Sequence, residues 1–205
     1  MLDLIRGLPF TINVDGSPFS INTDFRLWLA FGRIISKQIF DLSEEEVKVY
    51  TDILQFEKGK EFNLIDLYKY YDEMVQFYIV RELTPAKSND SSKDIILSFE
   101  ADGSYLYAAF RQAYNIDLMR DKLHWHEFNA LLRSLPNDTK LSEIMGFRCY
   151  KKNNDKIEAQ YEKSKATWTL PNVDGFQQAT TQELEESIRL AEIKEAKQRE
   201  LYGYN

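Results

Sequence analysis

The feature that most constrains this chain is a pair of apolar stripes at helical spacing between Ser98 and Pro136. Read from Ser98 as a helix, Phe99, Leu106, Phe110, Ala113 and Tyr114 recur at intervals of three, four and seven, which gathers them on one side. Asn115 closes that helix, because asparagine tolerates the left-handed backbone of a helix end, and Ile116 and Leu118 staple the turn. A second stripe follows from about Leu123 to Leu135, made of Leu123, Phe128, Leu131, Leu132 and Leu135, and Pro136 with Asn137 and Asp138 stops it. Two amphipathic helices on a short connection bury their stripes most easily against each other, so the spacing predicts a helical pair at the core.

Upstream, Asp15-Gly16 favours a tight hairpin turn with positive φ at both positions, and it predicts two short strands, TINV and PFSI. Pro18 removes a ladder donor and marks the second strand as an edge. Thr23 or Asp24 then caps a helix running to about Phe40, with Phe25, Trp28, Leu29, Gly32, Ile35 and Ile39 as its stripe. Ser43 and Glu46 form a capping box for a helix from Glu44 to Phe56, and the acids of its first turn suit the positive helix end. Asn63 can cap a third helix whose stripe is Leu64, Leu67, Tyr68, Tyr71, Val75, Tyr78 and Ile79. Its aromatic face reads as core or as a partner groove. TPAKSNDSSK, residues 84–93, has no apolar period and reads as an exposed loop, and a short helix near Leu141 to Met145 is expected to stop at Gly146.

Past residue 150 the pattern changes. Lys151 to Lys165 is charged and TWTLPNVDGFQQA has turn residues without a clear period. The expected organisation is a helical globular domain over 1–152, a linker over 153–178 and a charged helix over 179–205. The lone aromatic Trp168 leaves docking onto the domain and docking onto another chain both open. The last helix carries Leu184, Ile188 and Ala191 as a thin stripe among acid-base pairs, and a helix of that length is marginal in water on its own. The fold class is therefore mainly α, an amphipathic helical bundle with a short N-terminal β-hairpin and a charged C-terminal helix.

Composition narrows the chemistry. The 205 residues suffice for one domain, or one domain with an appendage, and the single cysteine, Cys149, fits a reducing cytoplasm and reads as a core thiol. A net charge of -7 repels phosphate backbones, so nucleic acid is not an expected partner. With one basic residue in MLDLIRGLPF and no run of about 18 apolar residues, neither export nor a membrane span is expected. His124 and His126, the only histidines, flank Trp125; inside a helix they would point about 200° apart and could not chelate one ion, and Asp121, His124 and Glu127 would mark a wet face. No phosphate loop, dinucleotide glycine pattern or nucleophile elbow is present, so no catalytic residue, metal or cofactor is expected.

The run SYLYAAFRQAYNIDL followed by LHWHEFNALLRSLPNDTKLSEIMGFR resembles the phage gp-fifteen family of siphophages and prophages of Gram-positive bacteria, most closely from Phe99 to Arg148. INVDGSPFSINTDFRLWL near the start is similar to the family as well, and the family often has two aromatics where this chain has Trp125 and His126. The resemblance implies a non-enzymatic tail-assembly chaperone, encoded just ahead of the tape-measure gene, that holds the tape-measure protein soluble while tube subunits polymerise. The partner is then the tape-measure protein, with self-association and the tail tube protein as further contacts. Such a protein works in the cytoplasm of the infected bacterial host and is absent from the mature virion; a structural tail or connector component of the virion is the alternative. Partner-binding candidates are Tyr68, Tyr71, Tyr107, Trp125, Trp168, Leu184 and Ile188.

Overall fold

Asp15 and Gly16 sit at φ of 50° and 77°, the positive pair that lets two strands turn back with matching twist. The computed structural model describes residues 5, 7–37, 39–55, 64–79, 96–149 and 158–170. They form two compact units, one between residues 8 and 79 and the other containing residues 96–170. Among the described residues there are two strands and seven α-helices, which makes the fold mainly helical with a short N-terminal hairpin.

In the first unit β1 (Thr11–Val14) pairs antiparallel with β2 (Ser17–Ser20), Thr11 opposite Ser20 and Val14 opposite Ser17. Alternation turns Ile12 and Val14 inward. Helix α1 (Phe25–Ile34) is capped by Asp24, whose carboxylate accepts the Arg26 amide at 3.0 Å. Its inner face, Phe25, Trp28, Phe31 and Ile34, is buried, and the rings of the later helices gather on it. Trp28 lies 4.5 Å from Phe77, and Phe31 meets Tyr50 at 5.4 Å and Tyr78 at 5.7 Å, both edge-on. Gly32 gives α1 its closest approach: a Cβ there would lie 2.9 Å from Cζ of Tyr78.

Helix α1 ends at Ile34, short of the expected Phe40. The Lys37 amide folds back onto the Ile34 carbonyl at 2.9 Å, a three-residue turn, and the Ile35 carbonyl is taken by the Tyr71 hydroxyl at 2.7 Å. A 3₁₀ turn, Ile39–Asp41, leads on to α2 (Glu44–Leu54), where the Ser43–Glu46 capping box is complete. Gln55 in the left-handed conformation, φ 51°, ends α2 before Phe56. Helix α3 (Leu64–Tyr78) supplies buried Leu67, Met74, Val75 and Phe77. The expected cap at Asn63 and the loop over 84–93 lie outside the described residues.

In the second unit α4 (Gly103–Tyr114) starts later than Ser98. The Asp102 carboxylate accepts the Ser98 amide at 2.9 Å, Ser98 Oγ accepts the Ala101 amide at 3.1 Å and the Asp102 amide donates to the Ser98 carbonyl at 2.8 Å, so residues 98–102 close a single turn ahead of the helix. Asn115 ends α4 at φ 57°, in agreement with the sequence reading. Helix α5 (Trp125–Arg133) packs against it: Phe110 and Phe128 stack at 5.3 Å and the Tyr114 hydroxyl donates to the Leu131 carbonyl at 2.8 Å. Helix α6 (Lys140–Cys149) is longer than expected and runs straight through Gly146, which is exposed, so that glycine is no stop. Thr139 Oγ1 caps α6 by accepting the Ser142 amide at 3.2 Å. Cys149 is exposed at its end, not a core thiol; the rings of α4 and α5 already fill the interior. Within the span expected as a linker, residues 158–168 form helix α7 (Glu158–Trp168), which lies against α6. The C-terminal helix expected over 179–205 lies outside the described residues.

Phe110 has no exposure, so Phe110→Ala is expected to cost about 3–5 kcal/mol through lost burial and an unfilled cavity. Gly146 is the opposite case, with a helical backbone and open space where a side chain would stand: Gly146→Ala should add roughly 0.5–1 kcal/mol. Urea unfolding of the two variants checks both signs.

Candidate partner-binding surface and a buried ion pair

Tyr68 and Tyr71 lie three residues apart on α3 and fare differently. Tyr68 is 40% exposed; partial burial raises its phenol, helped by the nearby Asp41 carboxylate. Tyr71 is tied to the Ile35 carbonyl, and burial pushes its phenol up to about 12. Burial likewise raises Tyr78 to about 12 and raises Tyr50, whose hydroxyl is buried with no hydrogen-bond partner among the described residues. Tyr68 therefore offers surface, while Tyr71 belongs to the packing between α1 and α3.

In the second unit Tyr107 is half-buried on α4. Trp125 is 3% exposed and stacks 6.0 Å from Phe128, so its ring is core. Trp168 docks within its own unit, edge-on to Tyr105 at 5.6 Å and under the Lys140 ammonium at 5.4 Å. Leu184 and Ile188 lie outside the described residues. Large apolar side chains left at the surface, which no stripe argument singles out, are Ile5, Phe10, Ile96, Met119 and Tyr161. Met119, in the turn after α4, is 77% exposed.

Sequence reasoning misses the charged centre of this unit. Asp102 precedes α4 and Arg148 sits near the end of α6, and their side chains are 3% and 4% exposed. The guanidinium grips both carboxylate oxygens, Nη1 to Oδ2 at 2.6 Å and Nη2 to Oδ1 at 2.9 Å. It also donates from Nη1 to the Ile96 carbonyl at 2.9 Å and from Nε to the Trp168 carbonyl at 2.7 Å. One residue thus ties the approach to α4, its first turn, α6 and the end of α7. Nothing in the local pattern separates these two charges from the solvated ones around them.

The histidines are also placed differently from expectation. His124 lies before α5 as its cap, with Nδ1 accepting the His126 amide at 3.0 Å, and the two rings stand edge-on at 5.2 Å. His124 stands outside the helix, so the argument from opposite helical faces does not apply, and both rings are buried. Asp121 is not on that helix: its carboxylate accepts the Asp117 amide at 2.8 Å in the preceding turn. Among the described residues, no group of three or more His, Cys, Asp or Glu is placed to hold a metal ion.

A family model described as Bacteriophage Gp15 protein matches residues 4–170, which takes in both units. No curated protein and no solved structure matches the chain.

Asp102→Ala is expected to destabilise the protein by about 3–5 kcal/mol, because it leaves the Arg148 charge buried without its partner. Adding Arg148→Met should recover much of that loss in chemical denaturation. A second prediction concerns alkali. The phenols of Tyr71 and Tyr78 are raised to about 12 by burial, so the unfolded chain releases their protons first, near pH 10. Their contribution is whole below about pH 10 and is lost as pH rises towards 12. Thermal unfolding followed across that window should show a falling midpoint, less steep in Tyr71→Phe.

Proposed function

This chain belongs to the bacteriophage Gp15 family, and on that premise we propose that it is a tail-assembly chaperone holding the tape-measure protein soluble while the tail tube is built. At the coarser level it is a bacteriophage structural or assembly-related protein. The family match over residues 4–170 carries the reading. The surface supplies a means: Tyr68, Phe10 and Met119 remain exposed after each core is filled, and they offer apolar contact to an amphipathic client helix. Many weak sites of this kind along a long helical client would hold it by avidity, without one tight pocket. A net charge of -7 keeps such a complex apart from its neighbours. The role requires no bond-making chemistry, and it places the protein in the host cytoplasm during assembly.

Co-expression with a tape-measure protein from the same phage or prophage is the test. Soluble tape-measure protein should rise severalfold over expression alone, and Tyr68→Asp should reduce that gain. Unchanged insolubility, or this chain found in stoichiometric amount in purified virions by mass spectrometry, would replace the chaperone by a structural subunit.

A further inference from the structure

Of the ordinary side chains only histidine changes charge between about pH 5 and 8, and the chain has two, His124 and His126. Both stand at the start of α5, 7% and 4% exposed, with their rings edge-on at 5.2 Å. A proton taken up by an imidazole near neutral pH therefore arrives at one place, the first turn of this helix. His124 caps that turn: its backbone is extended, at φ -67° and ψ 142°, and its Nδ1 accepts the His126 amide at 3.0 Å. An Nδ1 that carries a proton has no lone pair to accept with, so the charged ring and the capped helix exclude each other. Two further effects act in the same direction. Burial penalises the charged ring, and the helix start is the positive end of its dipole. The other charged or titratable side chains of α5, α4 and the connection between them are Glu127 and Arg133, then Arg111 with the phenols of Tyr105, Tyr107 and Tyr114, then Asp117, Arg120, Asp121 and Lys122. Arg111 reaches the Asn115 carbonyl at 3.4 Å, Tyr114 the Leu131 carbonyl at 2.8 Å, and Asp121 takes the Asp117 amide at 2.8 Å. Asp121 and Glu127 favour a charged ring and Lys122 opposes it, but none of them lets Nδ1 gain a proton and keep the cap.

We propose that His124 is an acid-sensitive latch on α5: a proton on Nδ1 releases the His126 amide and opens the first turn of the helix. What the latch holds is part of the core of the second unit. Trp125 and Phe128 follow it within about one turn and are 3% and 0% exposed, and Phe128 stacks on Phe110 of α4. The direction of the effect follows from the exclusion. The folded chain holds His124 neutral, whereas the unfolded chain takes up a proton near the ordinary imidazole value of about 6.5. The stability that the latch contributes is whole above that value and is lost as pH falls through it. Acid thus loosens the unit at α5, and a return to neutral pH closes it again with no covalent bond made or broken.

Urea unfolding of the full chain at about pH 7.5 and about pH 5.5 tests this. The folding constant should fall at least about tenfold between them, the factor contributed by one histidine kept neutral in the fold. Asparagine caps a helix without a titrating nitrogen, so His124→Asn should stay folded at both values and lose that tenfold. His126→Gln keeps the amide that His124 holds and should retain it. In NMR spectra of the wild type, the His126 amide should shift in step with protonation of the His124 ring. A wild type equally stable at both values overturns the proposal, as does a His124→Asn chain that is as acid-sensitive as the wild type. So does a His126 amide that stays unmoved while the His124 ring becomes charged.

Discussion

The second unit is arranged around one buried charge pair. Taking Asp102 and Arg148 out of water is costly, and the cost is offset only where the geometry satisfies nearly every donor and acceptor. Here the guanidinium makes four hydrogen bonds and the carboxylate also accepts the Ser98 amide. That demand fixes more than the pair. It sets where α4 can begin, because Asp102 turns back to Ser98 instead of capping the helix ahead of it. It also reaches α7, whose last residue, Trp168, gives its carbonyl to Nε of the guanidinium.

The first unit is organised by rings instead. Trp28 and Phe31 of α1 are fully buried and are met by Tyr50 of α2 and by Phe77 and Tyr78 of α3. Aromatic side chains fill such a core with few residues, but tyrosines bring hydroxyls that need partners. Tyr71 finds one in the Ile35 carbonyl, which helps to end α1. Tyr50 finds none among the described residues, and a buried hydroxyl left so is a local cost that the surrounding packing must outweigh. A helix end and a core ring are thus settled by the same side chains.

What can be read from the sequence is what is decided within a few residues. The Asp15-Gly16 turn, the Ser43–Glu46 box and the left-handed Asn115 all act on their own neighbours, and each is legible. The stripes through Phe110 and Phe128 are legible for the same reason. The misses turn on partners far along the chain. Helix α1 stops early through a hydroxyl 36 residues away, and Arg148 finds its carboxylate 46 residues back. Gly146 reads as a stop because glycine often is one, yet the contacts of α6 carry the helix through it. Trp168 looks isolated in sequence because α7 has almost no apolar period; its docking depends on Tyr105, Lys140 and Arg148, none of which is near along the chain. Of the partner candidates on α3, Tyr68 is at the surface while Tyr71 is tied to the Ile35 carbonyl, a distinction that their shared aromatic stripe does not encode.

The close approach at Gly32 has an evolutionary corollary. The space that a larger residue would need there is occupied by the end of the Tyr78 ring, so the two positions are not free to drift separately. In a lineage that gained an alanine or serine at 32, the ring at 78 would have to shrink or swing away, so the effects of the two changes would not add. Positions 32 and 78 should therefore vary as a pair wherever α1 and α3 keep this approach.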